Sequence, residues 1–211
     1  ARCPNIGECF CAGHAAFLIL GNVCTRNCRY CAVSHGTPSE PDPDEPERIA
    51  GAAAGLNLSY VVLTSVTRDD LRDGGAGHFA ACVSALRGKN TSCGIELLIP
   101  DFRNAPDARE KILDAKPDVI NHNIELVRGL FSALRPQGDY DVSLSVLRSV
   151  ADAGFPAKSG LMIGFGEKMA DIERTMNDLR EAGCSMLTVG QYLRSHRDGF
   201  PVAKYYEPSE F

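Results

Sequence analysis

No stretch of the 211-residue chain is apolar for long enough to span a bilayer, and no basic segment followed by a short apolar core marks a secretory signal. These absences lead to the expectation of no membrane partner and of a cytoplasmic protein, or a mitochondrial or plastid one whose transit peptide has been removed. Positive charge is not in excess either: 22 Lys and Arg against 27 Asp and Glu give a net charge of -5, so no electrostatic reason exists for a nucleic-acid partner. Short-period repeats, low-complexity tracts and a clear domain boundary are all missing, and the length suits one domain with a sizeable core. Nine cysteines would suggest a disulfide scaffold in a small secreted chain. This chain is larger and its N-terminal cysteines are spaced as cluster ligands, so a reducing compartment is expected.

One further absence is chemical. Cys24, Cys28 and Cys31 form a C-x3-C-x2-C loop with no fourth cysteine beside it. A structural zinc site takes four protein ligands, and a four-cysteine ferredoxin cluster leaves no iron unfilled. Three thiolates on a 4Fe-4S cubane leave one iron open to chelate a small molecule. This spacing, with Tyr30 as the aromatic before the last cysteine, resembles the radical SAM superfamily. The resemblance implies that S-adenosylmethionine (SAM) is chelated at the open iron and split by one electron from the cluster.

The rest of the chain alternates strand-like and helical patterns. A continuous apolar run at residues 16–20 stops at Gly21 and leads directly into the cysteine loop. Further strand-like runs lie at 60–63, 95–99, 119–120, 161–163 and 186–189. Asp44 and Glu47 make a capping pair ahead of a helix with Ile49, Ala52, Ala53 and Leu56 at helical spacing. Phe79, Cys82, Val83 and Leu86 share one helix face, as do Leu144, Leu147 and Ala151, and Ile172, Met176 and Leu179. Cys82 is therefore a core thiol, Cys184 is expected in the core as cysteines usually are, and Cys93 is undecided. Six β-α steps predict an α/β fold with a parallel sheet, open or curved into part of a barrel.

Ligands in such sheets lie beyond the carboxyl ends of the strands, so the residues after each run are the candidates for function. After the second run come Thr64, Ser65, Thr67, Arg68, Asp69, Asp70 and Asp73, which read equally as a site for an ammonium or ribose and as Asp caps of a helix N-terminus. After the fourth come Asn121, His122, Asn123 and Glu125, amides and a carboxylate suited to ribose hydroxyls and an amino-acid head group. His122 lacks a second histidine at ligand spacing and reads as a hydrogen-bonded packing residue. Arg135 reads as a carboxylate clamp or, before Pro136, as a surface arginine. Lys158, Gly160, Gly164, Gly166 and Glu167 accompany the fifth run, and G-x-M-x-G-x-x-E there resembles the adenine-contacting segment of radical SAM enzymes. Gln191 and Tyr192 follow the sixth.

Within that superfamily the chain resembles the lipoyl synthase family over nearly its whole length. The shared words are Arg-Cys-Pro-Asn-Ile-Gly-Glu-Cys, Cys-Arg-Tyr-Cys-Ala-Val, Leu-Thr-Ser-Val-Thr-Arg-Asp-Asp-Leu, Asn-His-Asn-Ile-Glu, Lys-Ser-Gly-Leu-Met-Ile-Gly and Gly-Gln-Tyr-Leu. Biotin synthase shares the cluster loop without the later words. The resemblance implies a partial (β/α)6 barrel at residues 16–193, with a partial auxiliary-cluster segment at 1–15 and the start of a C-terminal segment at 194–211. It implies that Cys24, Cys28 and Cys31 hold the SAM cluster. Cys3 and Cys9 match the second and third cysteines of the family's auxiliary cluster, which is consumed as sulfur donor; Cys11 is extra to that pattern. The implied cofactors are two 4Fe-4S clusters and SAM. Tyr30, Thr64, Ser65, Asn121, Asn123, Glu125, Arg135, Lys158, Gly164, Gly166, Glu167, Gln191 and Tyr192 are the expected cofactor-binding residues.

The implied reaction is insertion of sulfur at C6 and C8 of a protein-bound octanoyl-lysine. Its partners would be octanoylated lipoyl carrier domains (2-oxoacid dehydrogenase E2, the glycine cleavage H protein) and an electron donor such as ferredoxin or flavodoxin. Two departures stand out. The first auxiliary cysteine and the family's terminal serine segment would fall outside residues 1–211, so truncation at both ends is expected, and residues 194–199 differ from the family's wording. The alternatives are another radical SAM reaction and a non-catalytic iron-sulfur electron-transfer module.

Overall fold

The computed structural model describes residues 6–89, 92–195, 197 and 199–211. In chain order the elements are α1 (Ile6–Cys11), β1 (His14–Ile19), β2 (Val23–Cys24), β3 (Ser34–His35), α2 (Glu45–Gly55), β4 (Tyr60–Ser65), α3 (Ala76–Lys89), β5 (Gly94–Leu98), α4 (Pro106–Asp114), β6 (Val119–Asn121), α5 (Phe131–Leu134), α6 (Tyr140–Asp152), β7 (Ala157–Ile163), α7 (Met169–Glu181) and β8 (Met186–Gln191). Six strands form one all-parallel sheet in the order β1-β4-β5-β6-β7-β8. Each strand pairs with the strand before it in that series, which is the order of an unclosed barrel.

The register explains the two faces. Phe17, Leu63, Leu97, Ile120 and Ala157 are successive cross-strand neighbours. All but Phe17 are fully buried, and their side carries the helices. Leu18, Thr64, Leu98, Asn121, Lys158 and Met186 form the adjacent row and point to the opposite, concave side, because successive side chains alternate across a strand. That side is not closed off: Leu18 is 49% exposed. The alternation also shows why the apolar run at 161–163 understates β7. Ala157, Ser159, Leu161 and Ile163 are buried, while Lys158, Gly160 and Met162 face the concave side and break the apolar pattern.

Three local expectations are corrected. Asp44 does not cap α2 with its side chain, since it sits at φ -89°, ψ -6° and not in the extended conformation a cap requires. The Asp42 carboxylate instead accepts the Asp44 N–H and pairs with Arg48. The buried face of α2 is Pro46, Ile49, Ala50 and Ala53. Ala52 and Leu56 are exposed, because the helix ends at Gly55 and Leu58 turns back into the core with its N–H on the Ala53 carbonyl. On α7, Thr175 takes the inward place and Met176 is exposed. On α3, Phe79, Cys82, Val83 and Leu86 are all buried, and so is Cys93. Cys184 is only partly buried and packs against the core's margin.

Candidate functional site

The cysteine loop leaves β1 through two residues with positive φ, Leu20 (64°) and Gly21 (86°). A leucine in that conformation is strained. Both of its backbone groups are held, its N–H by Glu45 Oε2 at 2.9 Å and its carbonyl by Arg68 Nη1 at 3.1 Å. The loop then closes on itself through the two-residue parallel pair β2–β3. It is stitched to the end of β4: Thr25 N–H and Oγ1 donate to the Thr67 carbonyl, Thr67 N–H donates to Cys24 Sγ (3.3 Å), and Asp69 N–H donates to Thr25 Oγ1.

Cys24, Cys28 and Cys31 line one cleft of about 190 Å³ at the carboxyl ends of the strands. Tyr30, Thr64, Ser65, His122, Asn123, Glu125 and Arg135 line it with them. Nine of these ten were candidates from the sequence. His122 was read as a packing residue, and half of that reading holds: Nδ1 lies 2.9 Å from the Ile99 carbonyl, while the residue lines the cleft and its Nε2 is buried without a partner among the described residues. Burial holds its pKa down at about 4, so the ring is neutral near pH 7. Ser65 Oγ is likewise buried and unpartnered among the described residues. Arg135 is buried at the cleft, not a surface residue. Its Nη1 donates to the Asn123 carbonyl, and its ring neighbour is Phe131.

The electrostatics suit ligands that bring their own charge. Burial pushes the Cys28 thiol up, and the Arg135 guanidinium pulls it part of the way back. Burial also raises Cys31, against hydrogen bonds from backbone N–H groups. Burial pushes the Glu125 carboxyl up, opposed by Arg135 and Asn123. Among the described residues, no three His, Cys, Asp or Glu side chains converge tightly enough for a single metal ion. Three thiols spread around one cleft fit a multinuclear cluster, whose separate irons each take one thiolate. The buried atoms without partners beside them fit a polar ligand at the open iron.

A second cavity, about 280 Å³, adjoins on the concave side and is lined by Asn121, Lys158, Gly160, Thr188 and Gly190 together with Asn123 and Glu125. Glu96 organises it, a carboxylate only 3% exposed in the middle of β5. It accepts Tyr60 Oη (2.9 Å), Asn121 Nδ2 (3.0 Å) and Lys158 Nζ (2.9 and 3.0 Å). Lys158 and Asn121 are thereby held in place, and Asn121 Oδ1 stays unpartnered among the described residues. Gly160 leaves room beside them for Asn123, whose Oδ1 would lie 2.7 Å from a Cβ there.

Other candidates lie elsewhere. Glu167 Oε1 and Oε2 accept the N–H groups of Gly164 (2.6 Å) and Phe165 (2.9 Å), and Tyr206 Oη donates to Oε1. Gln191 donates to the carbonyls of Tyr192 and Lys204 and accepts Tyr206 N–H. Tyr192 is buried, stacks on Phe165 at 4.1 Å and donates to the Phe200 carbonyl. Gly166 is at φ 104°. This group fastens residues 200–206 to the ends of β7 and β8 and touches the cleft through the Tyr30–Phe165 ring contact. The acids after β4 are also engaged internally. Asp69 and Asp70 bind arginines, and Asp73 caps the start of α3 through Gly75 and Gly77 N–H. Cys9 and Cys11 are exposed on α1, which buries no residue, and Cys3 lies outside the described residues.

Arg26, Asp101 and Glu96 are the structural residues at the site that sequence reasoning passed over, and Asp69, a candidate from the sequence, serves there as a partner of Arg26. The available signals were an arginine inside the cysteine spacing and a glutamate inside an apolar strand.

Comparison with known proteins agrees with this geometry. The pattern of the Radical SAM superfamily matches residues 18–179. The chain is 52% identical to "Lipoyl synthase" of Methylococcus capsulatus, over all of this chain and 66% of that protein. It is 52% identical to that of Nitratidesulfovibrio vulgaris (100% and 71%) and 50% identical to that of Haemophilus influenzae (100% and 67%). The chain thus spans 66–71% of the length of these curated relatives. Its fold is similar to methylornithine synthase PylB (TM-score 0.67, 14% identity, 92% of this chain and 57% of that one) and to Streptococcus suis SuiB (TM-score 0.71, 12% identity, 93% and 43%). Among the described residues no helix is long and apolar enough to cross a membrane.

Proposed function

The chain belongs to the lipoyl synthases of the radical SAM superfamily, and from that premise we propose that it inserts two sulfur atoms, at C6 and C8, into an octanoyl group amide-linked to a lysine. The observation that carries the proposal is the single cleft that gathers three cysteine thiols, the unpartnered Ser65 Oγ and His122 Nε2, and Asn123, Glu125 and Arg135. Cys24, Cys28 and Cys31 would hold the SAM cluster. When bound, the cluster and SAM supply a primary carbon radical, the species needed to break an unactivated C–H bond.

The chain's own residues orient and shield. Arg135 offers a buried guanidinium to a carboxylate and Glu125 a carboxylate to an ammonium, while Thr64, Ser65 and Asn123 offer hydrogen-bonding groups to hydroxyls. His122 stays neutral, so Nε2 interacts with the ligand without adding charge. Leu98 and Val66 furnish an apolar wall of the cleft, and Leu18, half exposed, stands at its open rim. Cys9, with Cys3, is assigned to the sulfur-donating second cluster on its sequence words; Cys9 is exposed and free to ligate. The partners fitting this chemistry are octanoylated lipoyl domains of 2-oxoacid dehydrogenase E2 and the glycine cleavage H protein, with ferredoxin or flavodoxin as one-electron donor. The eight described cysteines are all free, in keeping with a reducing compartment.

The test is anaerobic reconstitution followed by electron paramagnetic resonance (EPR) and product analysis. SAM should perturb the reduced-cluster spectrum, and strong reductant should yield 5'-deoxyadenosine. Cys28→Ala should abolish that product while circular dichroism stays unchanged, since the thiol lies on a loop outside the core. Normal 5'-deoxyadenosine from Cys28→Ala would refute the assignment. A spectrum indifferent to SAM would favour an electron-transfer module.

A further inference from the structure

Between residues 21 and 40 a single residue is buried, and it is charged. Arg26, two positions from both Cys24 and Cys28, is 4% exposed. Loops are ordinarily anchored by an apolar side chain, whereas a buried cation is tolerated only when it is paired and hydrogen-bonded. Arg26 is paired twice. Its Nε and Nη2 meet Asp69 Oδ2 and Oδ1 at 2.7 and 3.0 Å, and its Nη1 and Nη2 meet Asp101 Oδ2 and Oδ1 at 2.6 Å each. Four of the five guanidinium N–H groups are used, in two forked pairs.

The carboxylates are themselves fixed. Asp69 follows β4, takes Arg103 Nε at 3.2 Å, and gives its backbone N–H to Thr25 Oγ1. Asp101 follows β5, accepts Arg103 N–H at 3.0 Å and lies 3.9 Å from Arg135. The Arg26 backbone N–H points at Cys24 Sγ, 3.4 Å away. A hydrogen bond to a cluster sulfur is one of the levers on cluster potential and retention.

We propose that Arg26 is a positioning residue, a latch that fixes the C-x3-C-x2-C loop to the ends of β4 and β5 and holds the thiols in register for the cluster. This rests on the radical SAM reading of the cysteines. It adds a device that the cysteine spacing does not contain: three ligands on a nearly helix-free loop are pre-organised by a doubly forked ion pair beneath them. Lysine cannot substitute, because one ammonium on a flexible stem cannot fork to both carboxylates.

The experiment compares wild type, Arg26→Lys, Asp101→Asn and Arg87→Lys after anaerobic reconstitution. The last makes the same exchange at the remote, singly bonded Arg87–Asp118 pair and serves as a control for the exchange itself. The readouts are circular dichroism, the rate of iron release to a chelator, and the EPR change on adding SAM. With the fold intact, Arg26→Lys should release iron at least about tenfold faster, the scale of losing a partner of a metal ligand. Its SAM-induced spectral change should shrink, Asp101→Asn should fall between it and wild type, and Arg87→Lys should match wild type. Wild-type release and spectra in folded Arg26→Lys overturn the latch, and so does equal acceleration in Arg87→Lys. Should Arg26→Lys not fold, Asp101→Asn alone decides, and wild-type release there overturns the proposal. A wild-type protein holding no SAM-sensitive cluster overturns the superfamily chemistry, and the latch falls with it.

Discussion

Replacing Glu96 by alanine removes the acceptor shared by three side chains on three other strands. Among the described residues, Tyr60 Oη then loses its carboxylate, Asn121 is left with neither end of its amide bonded, and Lys158 loses the carboxylate it pairs with. Removing one member of a buried, hydrogen-bonded charge pair costs about 3–5 kcal/mol. The Lys158 side chain is 28% exposed and can recover some hydration, which places the cost near the lower end, about 3 kcal/mol. For a domain of this size each kcal/mol moves Tm by about 2–4 °C, so a fall of about 6–12 °C is expected. Glu96→Gln keeps the shape and loses the charge-assisted bond to Lys158, at about 1.5–3 kcal/mol. Glu96→Met with Lys158→Met removes both charges together and should recover much of the alanine loss. Urea unfolding of the cluster-free protein measures all three. If Glu96→Ala lies within about 1 kcal/mol of the parent, the network does not hold the concave face together and the reasoning fails.

Acid should weaken the cluster-free fold in two stages. His122 has its pKa lowered from 6.5 to about 4, so the unfolded chain takes up a proton first. Its contribution, about 3 kcal/mol, is present above pH 6.5 and lost on descending through that interval, and His122→Gln should flatten the slope of urea stability there. Asp101 is depressed to about 2, with burial opposing and Arg26 outweighing it, so its contribution persists to about pH 3.8 and is lost below. Gly164→Ala should loosen the tail. Gly164 is at φ 119°, and a Cβ would come within 2.9 Å of the Lys204 carbonyl, so faster amide exchange confined to residues 200–206 is expected and unchanged exchange would contradict the contact.

The strand series was legible because five of its apolar runs needed only period and length, and the helix face of Phe79, Cys82, Val83 and Leu86 needed only spacing. What the sequence concealed follows a common rule. A residue facing the open concave side does not look like core, so Lys158 and Gly160 masked the first half of β7. Leu56 sat at helical spacing but just past the helix end, where Asn57 at φ 51° turns the chain and Leu58 takes the buried place. Arg26 and Glu96 look like surface residues by type, and only their partners on distant strands, 43 to 75 residues from Arg26 and 25 to 62 from Glu96, make their burial affordable. Pairing over such separations has no local signature.

The polar residues at the strand ends divide by how fully they are satisfied, and the division assigns their work. Glu167, Gln191 and Tyr192 use their hydrogen-bonding groups on backbone and, for Glu167, also on the Tyr206 hydroxyl, so they build the frame of the glycine loop and fasten residues 200–206 over it. Ser65 Oγ, His122 Nε2 and Asn121 Oδ1 are buried with nothing to bond among the described residues. A folded chain tolerates such groups at a cost of about 1–3 kcal/mol each, which a ligand can repay on binding. Two of the three line the cysteine cleft and the third lines the cavity beside it, where Lys158 and Asn123 also face. The unsatisfied atoms thus fall in two neighbouring cavities, one beside the thiols and one on the concave side of the sheet, and Asn123 and Glu125 line both. A ligand held beside the cysteines and a substrate on the concave side would meet at those two residues.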